Sequence, residues 1–324
     1  MSICGHKETR EVNVPKKWAS GACALWIALF ATVNIGRAAT PLQVVYAAVP
    51  DYAALFIAKE KGLFDQHGLD VTLQVVPNSA VIPPALVSHS AQIAGIPDAV
   101  FMQAVSGGLD LVMFAGVGST PKETRNGSIV VRTGMDMHKA ADLAGHKVGI
   151  SGIGSFFQIL LLEWLERQHV DAKKIQFVEV PFLQMGDLLK SGNVDAVATG
   201  QPFVNRIVNA GIGYEMTPYI SDLGVDIPIG GFAAEGGWAR DHKETIAAFR
   251  AALHEAVGMA NADPKLVDAV IVKYLKMTPE TLKNIPLNRL DDEITPAQLD
   301  FWQKLMVHQG LIAHDVDTAS LILR

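Results

Sequence analysis

Cysteine is nearly absent from this 324-residue chain, which has only Cys4 and Cys23, both near the amino terminus. Two cysteines exclude a disulfide framework and a cysteine-based zinc site. Acidic residues outnumber basic ones, 33 to 27, so the formal net charge is −6 and argues against nucleic-acid binding through overall charge. The hydrophobic fraction of 49% is that of a globular protein, and the length fits about two domains or one large barrel.

The amino terminus predicts a secretory signal peptide. Basic residues between positions 7 and 17 precede an apolar run of about 16 residues over 18–33, shorter than the ~20 residues of a membrane-spanning helix. Gly36 and Ala38 place small residues at a cleavage site, so we expect cleavage after Ala38. An uncleaved anchor and a lipoprotein are the alternatives. Removal of residues 1–38 leaves 22 basic and 31 acidic residues and no cysteine, in an exported and most simply periplasmic compartment.

Strand and helix patterns alternate in two successive series. The first predicts strands at 42–49, 71–76, 91–96 and 111–117, with helices at 52–61, 83–90 and 98–108. The second predicts strands at 127–132, 147–151, 175–180, 194–199 and 214–219, with helices at 155–169, 182–192 and 202–211. A Gly-rich extended segment at 228–238 precedes helices at 241–261, 264–276, 279–286 and 296–309. The alternation predicts βαβ units and mostly parallel sheets flanked by helices, an α/β fold.

The two series predict two lobes. We place residues 39–127 and 232–324 in lobe 1 and residues 128–231 in lobe 2, with two extended crossings near 129–132 and 230–234 as a two-strand hinge. Residues 86–100 and 188–203 both run from a helix end through a polar turn and a strand to a small-residue turn. This similarity supports a paired plan, although the general βα pattern could also produce it.

The chain lacks the common catalytic and metal-binding motifs. It contains no G-x-S-x-G, no phosphate-binding G-x-x-x-x-G-K-[ST], no H-E-x-x-H and no EF-hand loop. Its ten histidines are scattered singly, so no metal site is expected. The run GISGIGS at 149–155 departs from the dinucleotide-binding pattern, and no cofactor is expected. We predict that its free backbone N–H groups, with the Ser151 and Ser155 hydroxyls, hold a polar or anionic ligand group; the alternative is that Ser155 only caps the following helix.

The loops that follow the predicted strands are the expected ligand site, because open parallel sheets bind ligands beyond the carboxyl ends of their strands. Their side chains are mostly small, hydroxylic, amide or aromatic, with no obvious nucleophile or general base. Asp51 and Asp98 are the exceptions, and each could instead cap a helix.

Three segments carry a family resemblance: VPDYAALFIAKEKGLFDQHGLDVTLQ at 49–74, DLAGHKVGISGIGSFFQILLLEWL at 142–165 and LLKSGNVDAVATGQPF at 188–203. They resemble the solute-binding proteins of ABC importers, in the group that binds nitrate, sulfonates, taurine and thiamine pyrimidine precursors. The resemblance implies a type II periplasmic binding protein fold, a monomer whose two lobes close on a small-molecule solute and deliver it to a membrane permease. The ligand-binding positions that it implies are Tyr52, Ser79, Asp98, Ser119, Thr120, Ser151, Ser155 and Gln201.

Two departures from the family pattern bear on the solute. The second loop, Pro77-Asn78-Ser79-Ala80, lacks the expected glycines, and no arginine falls clearly in a ligand loop, which argues against simple nitrate or sulfonate. Similar eukaryotic enzymes of thiamine pyrimidine synthesis use cysteine and histidine chemistry, for which a cysteine-free mature chain is a poor candidate.

The sequence therefore predicts an extracytoplasmic, non-enzymatic protein that captures a small organic or anionic solute for an ABC importer. Two alternatives stay open. One is an exported enzyme on the same fold, with Asp51, Asp98 or Glu235 as acid or base. The other is a ligand sensor that reports to a membrane receptor.

Overall fold

A computed structural model describes residues 39–283 and 285–324 of the chain. The predicted signal peptide, residues 1–38, lies outside the described residues. In the described part of the chain, ten strands form two five-stranded sheets. The strands are β1 Thr40–Ala47, β2 Leu69–Val76, β3 Ile93–Pro97, β4 Leu111–Thr120, β5 Gly127–Arg132, β6 Lys147–Ile150, β7 Gln176–Glu179, β8 Ala196–Gly200, β9 Gly213–Thr217 and β10 Ile227–Glu235.

The two sheets have the same topology. The first has the strand order β2-β1-β3-β10-β4 and the second β7-β6-β8-β5-β9. In each, four strands run in one direction and one runs against them: β10 is antiparallel to β3 and β4, and β5 is antiparallel to β8 and β9. The prediction of two mostly parallel α/β sheets is confirmed. The similar segments 86–100 and 188–203 contain β3 and β8, the third strand of each order.

The antiparallel strands are those that connect the sheets. The chain leaves the first sheet after Thr120 and enters the second at Gly127, then returns after Thr217 to begin β10 at Ile227. The predicted crossings at 129–132 and 230–234 lie inside β5 and β10, where both are paired on two sides. An extended β-branched run has the same sequence pattern whether or not a neighbouring strand pairs with it, so sequence alone does not locate the crossing.

Thirteen α-helices occupy the described chain. They are α1 Ala53–Glu60, α2 Leu63–Gln66, α3 Ile82–Val87, α4 Asp98–Ser106, α5 Phe156–Arg167, α6 Met185–Lys190, α7 Phe203–Asn209, α8 Tyr219–Asp222, α9 Gly236–Asp241, α10 Lys243–Ala262, α11 Pro264–Leu275, α12 Pro279–Lys283 and α13 Pro296–His308. Short 3-10 turns precede several of them. Within the described ranges, no helix is long and apolar enough to cross a membrane.

Local sequence determines several helix ends. Asp263 caps α11, since its carboxylate accepts the Lys265 N–H at 3.0 Å and Pro264 occupies the first helical position. Gly62 adopts the left-handed conformation that ends α1, with φ +67°. The longest helix, α10, buries Ile246, Phe249 and Leu253 against the first sheet.

Three apolar clusters form the core. One packs α1, α10 and α11 on the first sheet, and a smaller one packs α6 and α7 on the second. The third is continuous across both sheets and includes Met113 of β4, Val148 of β6 and Trp302 of α13. Shared burial of apolar surface therefore joins the two sheets through α13.

Candidate functional site

All eight predicted ligand positions lie at or just beyond the carboxyl end of a strand. They are Tyr52 after β1, Ser79 after β2, Asp98 after β3, Ser119 and Thr120 at the end of β4, Ser151 and Ser155 after β6, and Gln201 after β8. The parallel strand direction brings the first five to one edge of the first sheet and the last three to the equivalent edge of the second.

Tyr52 is held against the first sheet by a glycine. It ends a 3-10 turn, Pro50–Tyr52, and its ring lies over Gly95 of β3, where any Cβ would collide with the ring. The ring also packs on Phe232 of β10 with centroids 5.9 Å apart. Burial raises the pKa of Tyr52, and the negative charges of Asp51 and Asp98 raise it further. These two carboxyl groups and the Tyr52 phenol therefore form one electrostatic cluster at the carboxyl edge.

Asp98 is the most unusual member of this cluster. It is the first residue of α4 and only 1% exposed, and neither of its carboxylate oxygens has a hydrogen-bond partner among the residues that the structure describes. Burial raises the pKa of Asp98 to about 8, and the nearby Trp302 indole lowers it only in part. That indole N–H donates to the Pro228 carbonyl at 3.0 Å. The expectation that Asp98 could cap a helix is not met, since it forms no cap hydrogen bond.

Asp51 is bound by a segment that sequence reasoning missed. Its carboxylate accepts the Asn288 side-chain N–H at 2.7 Å, and burial raises its pKa. Asn288 also accepts from Asn126, which lies between the two sheets in the chain, at 3.4 Å. No sequence pattern marks Asn288, because it belongs to an irregular connection between α12 and α13 that folding brings back to the site.

Arg289 binds the end of β4. Its guanidinium donates to the Ser119 hydroxyl at 2.9 Å and pairs with Asp226 at 3.0 Å. The adjacent Thr120 is 2% exposed, and its hydroxyl has no partner. Of the two β4 hydroxyls that the sequence proposed, that of Ser119 is bound to Arg289 and that of Thr120 has no partner among the described residues.

The prediction of free backbone N–H groups at 149–155 is wrong for three residues. The Ile153 N–H donates to the Glu179 carboxylate at 2.8 Å, and the Gly154 N–H donates to the Gln158 side chain at 2.6 Å. The Ser155 N–H donates to the Gly152 carbonyl at 3.2 Å. These side chains come from the next strand and from inside the following helix, so the loop sequence alone did not reveal them. An anion would have to compete with Glu179, a carboxylate already in place.

Two further side chains of the second sheet also have assigned structural partners. Ser155 caps α5, since its hydroxyl accepts the Gln158 N–H at 3.4 Å. Gln201 exchanges hydrogen bonds with Asn205 at 3.1 and 3.3 Å, across the first turn of α7. Ser79 and Ser151 are half-buried.

Thr199 is a site candidate that sequence reasoning missed. It lies one residue before the end of β8 and is fully buried, and within the described ranges its hydroxyl has no partner. Its position near the predicted Gln201 was the available signal, but the sequence pattern placed Thr199 inside the strand at 194–199 and not in the loop that follows.

The carboxyl edges meet at a seam between the two halves of the molecule. Gln103 of α4 donates to the Gly154 carbonyl at 3.2 Å. Phe156 of α5 packs on Trp302 of α13 with centroids 5.5 Å apart. Because Trp302 also lies near Asp98, that carboxyl group sits next to the seam.

No metal cluster accompanies the site: residues 39–283 and 285–324 contain no group of three or more His, Cys, Asp and Glu able to hold an ion.

The acidic residues weighed for catalysis have mixed roles. Glu235 caps α9 by accepting the Gly237 and Trp238 N–H groups at 2.9 and 2.6 Å. Asp51 is bound to Asn288, which leaves only Asp98 without a partner.

Two sheets of identical order, connected by two chain crossings, define the periplasmic binding protein fold. The periplasmic aliphatic sulphonate binding protein SsuA from Escherichia coli superimposes with a TM-score of 0.72, covering 87% of this chain and 97% of that one, at 21% identity. At that identity the likeness establishes the fold.

A family profile described as NMT1/THI5 like matches residues 49–266, and the chain belongs to this family. A Haemophilus influenzae protein with the provisional name of a thiamine biosynthesis protein is 32% identical over 149 residues, 46% of this chain and 45% of that protein. The match thus spans less than half of that relative's length. A Brucella abortus protein with the provisional name of a binding protein is 25% identical over 248 residues, covering 75% of this chain and 74% of its own.

Proposed function

We propose that this protein is an extracytoplasmic solute-binding protein that captures a small organic solute between its two lobes and delivers it to an ABC importer. One observation carries the proposal: buried polar atoms without partners lie at the carboxyl ends of strands in both sheets. They belong to Asp98 and Thr120 on the first sheet and Thr199 on the second. Buried polar groups are nearly always satisfied. Arg132, Trp164 and Gln309 also have a buried atom without a partner in the described ranges. They lie away from the carboxyl ends of the parallel strands, so the position of Asp98, Thr120 and Thr199 is what favours a bound molecule as their partner.

The mechanism that follows is a shift of population between open and closed states. A solute that contacts Asp98 and Thr120 on one lobe and Thr199 on the other makes all its contacts only when the lobes are closed. It stabilises that state by its differential affinity. The boundaries proposed from the sequence, 39–127 with 232–324 and 128–231, cut through β5 and β10. With each strand kept in its own sheet, residues 39–120 with 227–324 and residues 127–217 would move about the connections 121–126 and 218–226.

The other predicted positions take supporting roles in this proposal. Tyr52 forms an aromatic wall, Ser79 and Ser151 offer half-buried hydroxyls, and Ser119, Ser155 and Gln201 hold the loops through the hydrogen bonds described above.

The proposal also includes export by the predicted signal peptide, a periplasmic location and a membrane permease as partner. They are supported by the family, the fold and the resemblance to importer components.

The paired variants Thr120→Val and Thr199→Val test the proposal. Valine has nearly the shape of threonine and removes only a hydroxyl that has no partner in the free protein, so the free energy of unfolding should not fall. Thermal unfolding against a panel of sulfonates, amines, pyrimidines, amino acids and nitrate should identify a solute that raises the midpoint of the unaltered protein. At 100 times its Kd, a ligand contributes about 2.7 kcal/mol, or a few degrees.

The double variant should lose most of that shift, whereas Ser88→Ala, at an exposed serine beyond α3, should retain it. A full shift in the double variant would contradict the proposed site. The same samples separate binding from catalysis: the solute of a binding protein is recovered chemically unchanged after incubation with stoichiometric protein. A converted solute would favour the enzyme alternative.

A further inference from the structure

We infer that the solute carries a positively charged nitrogen, an ammonium or amidinium group, that donates N–H hydrogen bonds to the carboxylate of Asp98. This inference rests on the proposed function, because it concerns the chemistry of the same site. It narrows the solute class from organic or anionic to cationic or zwitterionic.

The first step is the state of Asp98 itself. A buried carboxylate is costly unless it is hydrogen-bonded or paired with a cation. Asp98 is 1% exposed, both of its oxygens lack partners, and it caps no helix. No ion pair to Asp98 occurs in the part of the chain that the structure describes. A ligand that supplies N–H donors would satisfy both oxygens, and a positive charge on it would compensate the carboxylate.

The second step is the charge around Asp98. Asp51 and Asp98 both act on the Tyr52 phenol, so the edge of the first sheet carries two acidic groups close together. The guanidinium of Arg289, at the end of β4, is already bound to Ser119 and paired with Asp226. Arg125, at the crossing between the sheets, is paired with Glu215 at 3.0 Å. An anion bound here would find both of these guanidinium groups already paired with acidic side chains, and its charge would oppose the ionisation of Asp51 and Asp98.

The third step is the second sheet, where an anion would ordinarily be held by backbone N–H groups at a helix start. The N–H groups of Ile153, Gly154 and Ser155 are all engaged, the first by the carboxylate of Glu179. At residues 153–155 an anion would therefore have to displace an existing hydrogen bond. An anionic end on a zwitterionic solute would lie away from Asp98.

The test uses matched probes that differ in the charged nitrogen: benzamidine against benzamide, 4-aminobutanoate against butanoate, and taurine against ethanesulfonate. We expect at least one nitrogen-bearing member to bind the purified full-length protein, with its partner about tenfold to a hundredfold weaker. Asp98→Asn should weaken binding of that member by a similar factor. Asp70→Asn, at an exposed acid of β2, is the matched control and should leave the Kd unchanged.

Proton release gives a readout that a general packing defect would not reproduce. Since the pKa of Asp98 in the free protein is raised to about 8, the group is mostly protonated at pH 7. A cation that binds its carboxylate should expel roughly one proton, which calorimetry detects by comparing buffers of different ionisation enthalpy. The titratable groups that share its cluster are Asp51 and Tyr52, so Asp51→Asn should retain the release and Asp98→Asn should abolish it.

Two results would overturn the inference. The first result is that the members without the charged nitrogen bind equally or more tightly and that Asp98→Asn does not weaken this binding. It would overturn the inference while the solute-binding function remains. Failure of every probe and of the broader panel to shift the unfolding midpoint would overturn it together with the proposed function.

Discussion

The two sheets of this protein have one topology and two chemistries. Their strand orders are equivalent, and each has one antiparallel strand at the same place. Yet the carboxyl edge of the first sheet holds Asp51, Tyr52 and Asp98 in a buried cluster, whereas that of the second offers hydroxyls and a glycine-rich loop whose N–H groups are already engaged. In the proposed function, topology therefore determines the edge at which a solute would bind, and the side chains at the strand ends determine its chemistry.

The prediction with the largest expected effect compares how tightly the chain packs against the carboxyl edge of each sheet. Gly118 of β4 has φ +116°, and a Cβ there would collide with the Arg289 backbone carbonyl. Alanine rarely adopts this φ, and the colliding atom belongs to the backbone of Arg289 and not to a flexible side chain. Gly118→Ala should therefore lower the free energy of unfolding by more than about 3 kcal/mol. At Gly200 of β8 the obstacle is chiefly the Phe157 side chain. Gly200→Ala should cost about 1–3 kcal/mol.

Chemical denaturation of the two variants measures this difference. Equal losses would show that the segment around Arg289 is not fixed against β4 as described. Gly258→Ala in α10, where a Cβ meets nothing within 4 Å, is the control and should be neutral or stabilising.

The next effect concerns Asp98 and pH in the solute-free protein. Its pKa is about 8 in the folded protein and 3.8 in its ordinary state, so folding keeps a proton that the unfolded chain loses. This group's contribution to stability is therefore fully present below about pH 4 and is lost as the pH rises towards 8. Asp98→Asn removes that loss, so the variant should gain several degrees in midpoint over the unaltered protein at pH 8 and little at pH 4.

Unfolding curves recorded between pH 4 and 9 measure this gain. A variant that is less stable than the unaltered protein at every pH would mean that the Asp98 carboxylate has structural partners. Asp70→Asn, at the exposed acid, should show no pH-dependent gain.

The smallest effect compares two residues at the helix starts of the two edges. Ser155 caps α5 and Asp98 does not cap α4. Ser155→Ala should therefore cost about 1 kcal/mol of stability, the usual value for a lost cap, with a modest effect on solute affinity. Asp98→Asn should instead cause no loss of stability and should weaken solute binding strongly. If Asp98→Asn lost stability and Ser155→Ala did not, the assignment of Ser155 as a helix cap and of Asp98 as a ligand group would be contradicted.

Local patterns allowed the secondary structure to be predicted, because apolar periodicity and turn residues act over a few positions. Strands such as 127–132 and helices such as 98–108 were located nearly to the residue. The antiparallel setting of β5 and β10 was not predictable, since it depends on which sheet each strand enters. The roles of Asn288, Arg289 and Trp302 depend on contacts more than 70 residues distant in sequence.

The candidate site was predicted at the level of loops and less well at the level of atoms. The rule that ligands bind beyond the carboxyl ends of strands placed all eight residues at the two edges. It did not show that Glu179 and Gln158 occupy the N–H groups at 153 and 154, nor that Thr199 is buried without a partner. Those facts depend on side-chain geometry after folding.

A crystal structure of the protein with the solute that the stability screen identifies tests the central claim most directly. The account predicts a nitrogen of the solute within hydrogen-bond distance of the Asp98 carboxylate, and polar solute atoms at the hydroxyls of Thr120 and Thr199. A solute bound elsewhere, with these three side chains satisfied by water or by other protein groups, would contradict it.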